Sequence, residues 1–462
     1  MHKVEFNGEM LFAADGETLS QVLMRFGKAA VEHPCGGRGV CKKCIVRING
    51  KEELSCRYKI HGDIQVQTAE KGEILSAAGA VENKDTSDSL CFVLDIGTTT
   101  IALALVEKKE KKIIKTVTAV NPQRAYGADV ISRIDYCRRN SPHQLQKLLV
   151  EAINSMSEKI DVRKVAVLYI SGNTTMLHLL FGEDCTGMGA APYTPAFLEG
   201  KCVDANLLGI KKAERIETLP CIAAFMGADV TAGLNFIGAP QGEKYSMLVD
   251  LGTNAEIVLF GKNGYISTSA AAGPCFEGAN ISYGMSAVEG AIAGFENGKA
   301  KTIGNKPPVG ICGTGLIEIV AYLLENQIAD KSGFMECERF EVAEGVFITQ
   351  EDIRQYQLAK SAVYSAIITL VKHNNITFDD IEKVYLSGGF SAMADIKAAV
   401  RTGLLPEKLE GKCVCINNSS LLGTAKYACE KNDVKTIAEN TKYIDLSSDA
   451  FFSDMFIENM IF

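Results

Sequence analysis

At 462 residues the chain exceeds what a single hydrophobic core usually holds, so two or three domains are expected. A composition of 47% hydrophobic and 23% charged residues excludes a largely disordered protein, and the net charge of -8 excludes nucleic acid and anionic membranes as partners, which need a basic footprint. The apolar runs at 90–96 and 165–170 are too short to span a bilayer, and nothing at the start has the apolar stretch of a signal peptide, so a soluble, cytoplasmic protein is expected.

The first seventy residues alternate short strand-like runs (3–6, 45–48, 64–67) with one helical stretch (18–26) and a glycine-rich loop, the pattern of a small α+β unit. Within it Cys35, Cys41, Cys44 and Cys56 form C-x5-C-x2-C-x11-C, with Gly36, Gly37 and Gly39 inside the first interval. Glycine suits a loop whose backbone N–H groups must approach thiolates and sulfides closely. A structural zinc site can also use four cysteines, but it usually pairs two C-x2-C knuckles, and only Cys41/Cys44 has that spacing. The strings HPCGGRGVCKKC and SCRYKIHGDIQVQ resemble the cluster-binding loop and closing strand of 2Fe-2S ferredoxins, which implies a β-grasp fold over residues 1–70 with the four cysteines as iron ligands. The other cysteines are scattered singly, mostly in apolar contexts, and read as reduced core thiols, Cys275 and Cys312 among them.

Residues 71–89, rich in Ala, Gly, Ser and charge, read as a linker. Beyond it, strands ending in glycine-threonine turns alternate with helical patterns, which predicts an α/β architecture. In LDIGTTT, Asp95 ends a buried strand, Gly97 opens a tight turn, and Thr98, Thr99 and Thr100 offer hydroxyls and amides. Such a turn suits phosphate oxygens, with the carboxylate toward hydrated Mg2+ or an attacking water. LVDLGTNAE repeats the arrangement with Asp250, Gly252, Thr253 and Asn254. Gly313 and Gly315 mark a further glycine-rich turn before a helix, and Gly388 and Gly389, after the strand-like VYLS, would let a flat base approach the backbone. Each motif alone is more often a plain turn. In this order they resemble the phosphate-1, phosphate-2 and adenosine motifs of the acetate and sugar kinase, heat-shock chaperone and actin (ASKHA) superfamily. That resemblance implies an actin-like ATPase of two related subdomains, 90–245 and 246–462, the second ending in a return helix and tail, with ATP between them.

Several further strings narrow the group: NPQRAYGADVISRI at 121–134, SGNTTMLHLL at 171–180, MGADVTAGL at 226–234, AAAGPCFEGANISYGM at 270–285 and the tail YIDLSSDAFFSDMFIENMIF. With the cysteine motif they are similar to the reductive activators of corrinoid-dependent enzymes. The resemblance implies one-electron transfer from a 2Fe-2S cluster to a corrinoid protein of a methyltransferase system, returning Co(II) to Co(I) with the help of ATP, by a homodimer whose upstream electron donor is not named by the sequence. Larger members carry an extra middle domain, whereas Leu90 leads directly into the first phosphate strand. Single residues in these strings also have plain readings: His178 as a satisfied core histidine, and Asp129 and Asp229, each after Gly-Ala, as helix caps. Two rival functions remain open at this level. A small-molecule kinase needs a carboxylate base aimed at an acceptor hydroxyl, for which no distinct motif exists. An activator of another low-potential metalloenzyme has its cluster between ATPase subunits, not on a separate ferredoxin domain.

Overall fold

The computed structural model describes residues 1–26, 44–68, 89–238, 243–388 and 395–462. Cys35, Cys41, Gly389 and nearly all of the expected linker lie outside them. The chain divides into two compact units, Met1–Leu219 and Pro220–Phe462.

The first unit opens with a five-stranded sheet in the order Glu9–Ala13, His2–Phe6, Ile64–Gln67, Ile45–Ile48, Lys51–Leu54. The last strand in sequence is inserted at the centre, parallel to His2–Phe6 and antiparallel to Ile45–Ile48, which is β-grasp topology. Alternation explains the face: Val4, Phe6, Leu11, Val46, Ile48, Ile64 and Val66 point inward onto Leu19 and Leu23 of the helix Leu19–Arg25, forming, among the described residues, a core drawn from residues 4–66.

The rest of the first unit is a six-stranded sheet, Cys202–Asp204, Ala213–Thr218, Val165–Gly172, Leu90–Ile96, Thr100–Glu107, Lys112–Val120. The second unit holds another, Cys413–Cys415, Ile381–Gly388, Tyr245–Leu251, Ala255–Gly261, Gly264–Ala270, Thr441–Ile444. Each has a central strand continued by two antiparallel neighbours on one side and joined on the other to a parallel strand that itself has a further parallel partner. The resemblance between LDIGTTT and LVDLGTNAE thus extends to the topology around them.

In the second unit the sheet is covered on both faces, which is why its central strands read as unbroken apolar runs. Met247, Val249, Ile257 and Leu259 pack with the helices Gly313–Glu325 and Gln350–His373, while Leu248, Val258 and Phe260 pack with Val230 and Leu234 of the helix Ala228–Ile237. That last helix crosses the helix Ser419–Glu430 so closely that a Cβ on Gly423 would lie 1.8 Å from the Ala232 carbonyl oxygen. Residues 228–237, expected on sequence grounds with the preceding subdomain, are therefore held in the second unit by a partner nearly two hundred positions away.

His178 is fully buried in the helix Thr174–Phe181. Its Nδ1 lies 2.8 Å from the Thr174 carbonyl, and its Nε2 accepts from the amides of Ala196 and Phe197 at 3.0 and 3.4 Å, so the ring is a neutral Nδ1–H tautomer, stacked on Phe197. Burial holds its pKa below the ordinary 6.5, opposed by the Thr174 hydrogen bond. The unfolded chain therefore binds the proton first, and this segment should lose stability as pH falls below about 6.5, at a limiting slope of about 1.4 kcal/mol per pH unit. Amide exchange at Ala196 and Phe197 should accelerate on going from pH 7 to 5, beyond the intrinsic change, and His178→Gln should abolish the excess.

Candidate functional site

The cysteine site is built by a hairpin. Ile45–Ile48 and Lys51–Leu54 turn through Asn49-Gly50, both at positive φ, the backbone a tight two-residue hairpin requires. Ile45 pairs with Leu54, so Cys44 and Cys56 stand just beyond the open end. The Ser55 amide bonds the Cys44 carbonyl at 3.0 Å, and the amides of Leu19 and Ser20 bond the carbonyls of Tyr58 and Ser55, tying the turn to the helix. Both thiols are buried, with their sulfurs 3.3 Å apart. Ligands on one tetrahedral metal with bonds of about 2.3 Å are about 3.8 Å apart, so the pair fits two corners of a single metal with a small adjustment.

The first glycine-threonine turn joins Leu90–Ile96 to Thr100–Glu107, with Asp95 half-buried at its mouth. Gly97 donates its amide to the Thr100 carbonyl at 3.0 Å, and a Cβ there would meet that oxygen at 2.6 Å. The carbonyls of the turn face the protein. Asn121 Nδ2 bonds the Gly97 oxygen at 2.8 Å, the Asn121 amide bonds the Thr99 oxygen at 2.8 Å, and Arg133 Nη2 bonds the Thr98 oxygen at 2.5 Å. Asn173 Nδ2 reaches Thr98 Oγ1 at 2.9 Å. Asp129 caps the helix Val130–Arg139 by accepting from the Ser132 amide at 2.7 Å, whereas Asp229 lies inside its helix and Gly227 takes the cap position.

In the second turn Gly252 donates to the Asn254 carbonyl at 2.9 Å, and Thr253 donates its hydroxyl to Glu277 at 2.7 Å. Asp250 stands opposite Glu256 in the strand register and 3.5 Å from Ser419 Oγ. Burial pushes the Glu256 carboxyl well above the ordinary carboxylate range, and the charges of Asp229 and Asp250 push the same way. Gly388 has φ +107°, and a Cβ there would meet the Leu251 carbonyl oxygen at 2.1 Å, so the two strand ends run close beside Gly252. Gly313 and Gly315 lie in the first turn of their helix, where a Cβ would strike the carbonyl oxygens of Phe276 and Ile292 at 2.2 and 2.1 Å. Close packing therefore already requires glycine at both. Cys275 and Cys312 are buried; burial pushes the Cys275 thiol up to about 12, and Cys312 Sγ contacts the Ile292 carbonyl.

The residues not singled out from sequence are Asn121, Arg133 and Asn173 around the first turn and Glu256, Glu277 and Ser419 around the second. All but Ser419 stood inside quoted strings, NPQRAYGADVISRI, SGNTTMLHLL, LVDLGTNAE and AAAGPCFEGANISYGM, without a role. Among the described residues no three His, Cys, Asp or Glu side chains converge to hold a metal ion, and no helix is long and apolar enough to cross a membrane.

Two sheets that share a five-stranded topology, each presenting an Asp-x-Gly-Thr turn between its central strands, define the fold of the actin-like ATPases. Residues 244–462 match a family model described as the C-terminal domain of RACo, the ASKHA domain, and residues 90–240 match one described as the RACo middle region. The chain belongs to the RACo family. It is 32% identical over 423 residues to the corrinoid activation enzyme RamQ of Eubacterium limosum, covering 80% of this chain and 70% of that protein. It is 27% identical over 395 residues to the [Co(II) methylated amine-specific corrinoid protein] reductase of Methanosarcina barkeri, covering 76% and 72%. A solved reductive activator for corrinoid, iron-sulfur protein shares the fold, with a TM-score of 0.75 at 24% identity over 100% of this chain and 98% of that one. The stretch after Leu90, read from sequence as lacking a separate middle domain, is itself matched as the middle region. Because it carries the same topology as the second unit's sheet, its strand and turn pattern alone reads as an ATPase half.

Proposed function

We propose that this protein returns a corrinoid protein from Co(II) to Co(I) by adding one electron, with ATP hydrolysed to ADP and phosphate in the same cycle. Family membership carries the reading, because both curated relatives are named for corrinoid activation or for reduction of a corrinoid protein. In this reading the partner belongs to a methyltransferase system, a separate reductant supplies single electrons, and the working protein is a cytoplasmic homodimer.

Cys35, Cys41, Cys44 and Cys56 would hold a 2Fe-2S cluster, a group that supplies one electron at a time. The supporting observation is the buried Cys44–Cys56 pair, held at metal-sharing distance by its hairpin. For the nucleotide, residues 90–245 and 246–462 each contribute a phosphate turn: Gly97, Thr98, Thr99 and Thr100 in one, Gly252, Thr253 and Asn254 in the other. Asp95 and Asp250 would face Mg2+ and the attacking water, with Gly313 and Gly315 in a supporting helix start and Gly388 and Gly389 beside adenosine. Magnesium usually takes one or two carboxylates and fills its shell with phosphate oxygens and water, which suits single aspartates at turn mouths.

ATP can help an uphill reduction only through differential affinity. Each 59 mV of unfavourable gap costs about 1.4 kcal/mol for one electron, and the gap is offset if the nucleotide-bound state binds the partner's reduced form more tightly. The experiment mixes the pre-reduced protein with a Co(II) corrinoid protein and follows Co(I) optically with ATP, with a non-hydrolysable analogue and with neither. ATP should raise the rate or yield, with labelled γ-phosphate appearing only as free phosphate. Stable label on the partner or on a small molecule would favour a kinase, and Co(I) formation indifferent to ATP would sink the coupling.

A further inference from the structure

The first phosphate turn is held from beneath by side chains of three separate elements. Asn121 caps the short helix Pro122–Ala125, its Oδ1 accepting from the Gln123 amide at 3.0 Å, and Asn173 caps the helix Thr174–Phe181, its Oδ1 accepting from the Met176 amide at 2.9 Å. These caps settle which end of each amide group is which: with the oxygen committed to a helix amide, the nitrogen must be the atom directed at the turn. Arg133, from the helix Val130–Arg139, is completely buried and also bonds the Gly127 carbonyl and Gln123 Oε1. A cation is therefore enclosed below the turn, on the side where its carbonyls lie.

Two chemical consequences follow. In a trans peptide the carbonyl and the next N–H point in opposite directions, so turning the oxygens of Gly97 and Thr98 toward the protein turns the amides of Thr98 and Thr99 away from it. The Thr98 hydroxyl is polarised as well. Asn173 Nδ2 can only donate, so Thr98 Oγ1 accepts there, and its own proton is left to point elsewhere. The outward-facing Thr98 amide and hydroxyl proton above a buried guanidinium make a donor set for an oxyanion.

We propose that Asn173, with Asn121 and Arg133, acts as a positioning group that sets Thr98 as a hydrogen-bond donor to a phosphate oxygen of the nucleotide; this rests on the reading of residues 95–100 as a phosphate turn. Asn173 is a positioning residue, since it acts through Thr98 and not on the nucleotide.

The test is a double-mutant cycle in the full-length, cluster-loaded protein, measuring steady-state hydrolysis of Mg-ATP for Asn173→Ser, Thr98→Val and the pair. Serine is itself a good N-cap, so the helix start is kept while the uncharged donor to Thr98 is lost. Each single variant should lower kcat/KM about tenfold, and the pair should be no worse than Thr98→Val alone, a non-additivity that a merely structural role for Asn173 would not produce. Additive losses would overturn the proposal, as would a silent Asn173→Ser beside an Asp95→Asn that abolishes turnover; both results leave the nucleotide reading intact. If Asp95→Asn, Thr98→Val and Asn173→Ser all hydrolyse ATP normally, the nucleotide reading itself fails and takes this inference with it.

Discussion

Asp95→Asn should lower the rate of ATP hydrolysis by about 100-fold or more while changing nucleotide affinity only a few-fold. Asparagine keeps the volume at the mouth of the first turn, so the sheet pairing of Asp95 with Ala102 and Ser171 survives. What disappears is a negative charge. If that charge orients the attacking water or the hydrated metal, its loss acts on the transition state, whereas ground-state binding, which the proposed reading gives to the other groups of the turn, is spared. Phosphate release and binding of a fluorescent nucleotide separate the two effects. Asp250→Asn is the matching change in the second turn, and unchanged hydrolysis in both variants would remove the assignment.

Cys44→Ser should strip most of the iron and visible absorbance from a protein that, purified anaerobically, is expected to be red-brown with about two irons per chain. The loss should be selective. Among the described residues, Cys44 and Cys56 pack in a core drawn from residues 4–66, separate from the strands that carry the turns at 95–100 and 250–254. ATP hydrolysis should persist and Co(I) formation should cease. Metal analysis and a visible spectrum decide the first point: about one zinc per chain and no colour would replace the iron reading with a structural metal site.

What the sequence alone determined about this protein is what local chemistry dictates. Spacing is what suggests the four cysteines as a ligand set, because a cluster loop needs thiols and glycines close together along the chain. The Asp-x-Gly-Thr turns were legible because a tight turn after a buried strand needs those residue types in that order, and Gly97 does sit where a Cβ would strike Thr100. Asp129 as a cap was readable for the same reason, since the Ser132 amide is a near neighbour, whereas His178 finds one partner nearby in Thr174 and the others in Ala196 and Phe197.

Only the tertiary structure decided what depends on distant partners. The side chains bracing the first turn are those of Asn121, Arg133 and Asn173, which lie 24 to 75 positions from the atoms they hold, and no periodicity reports such a convergence. Gly313 and Gly315 read as a ligand loop in sequence, and close approach to Phe276 and Ile292 is a second demand for glycine at both that only the structure shows, since a missing side chain reads alike whether backbone or ligand fills the space. Glu256 has nothing local to distinguish it; its raised pKa arises from burial beside Asp229 and Asp250, and Asp229 reaches it from another element. The helix Ala228–Ile237 belongs with the second unit because Gly423 lets a backbone nearly two hundred residues away come into contact, a pairing that exists only once both helices have been laid on the same sheet.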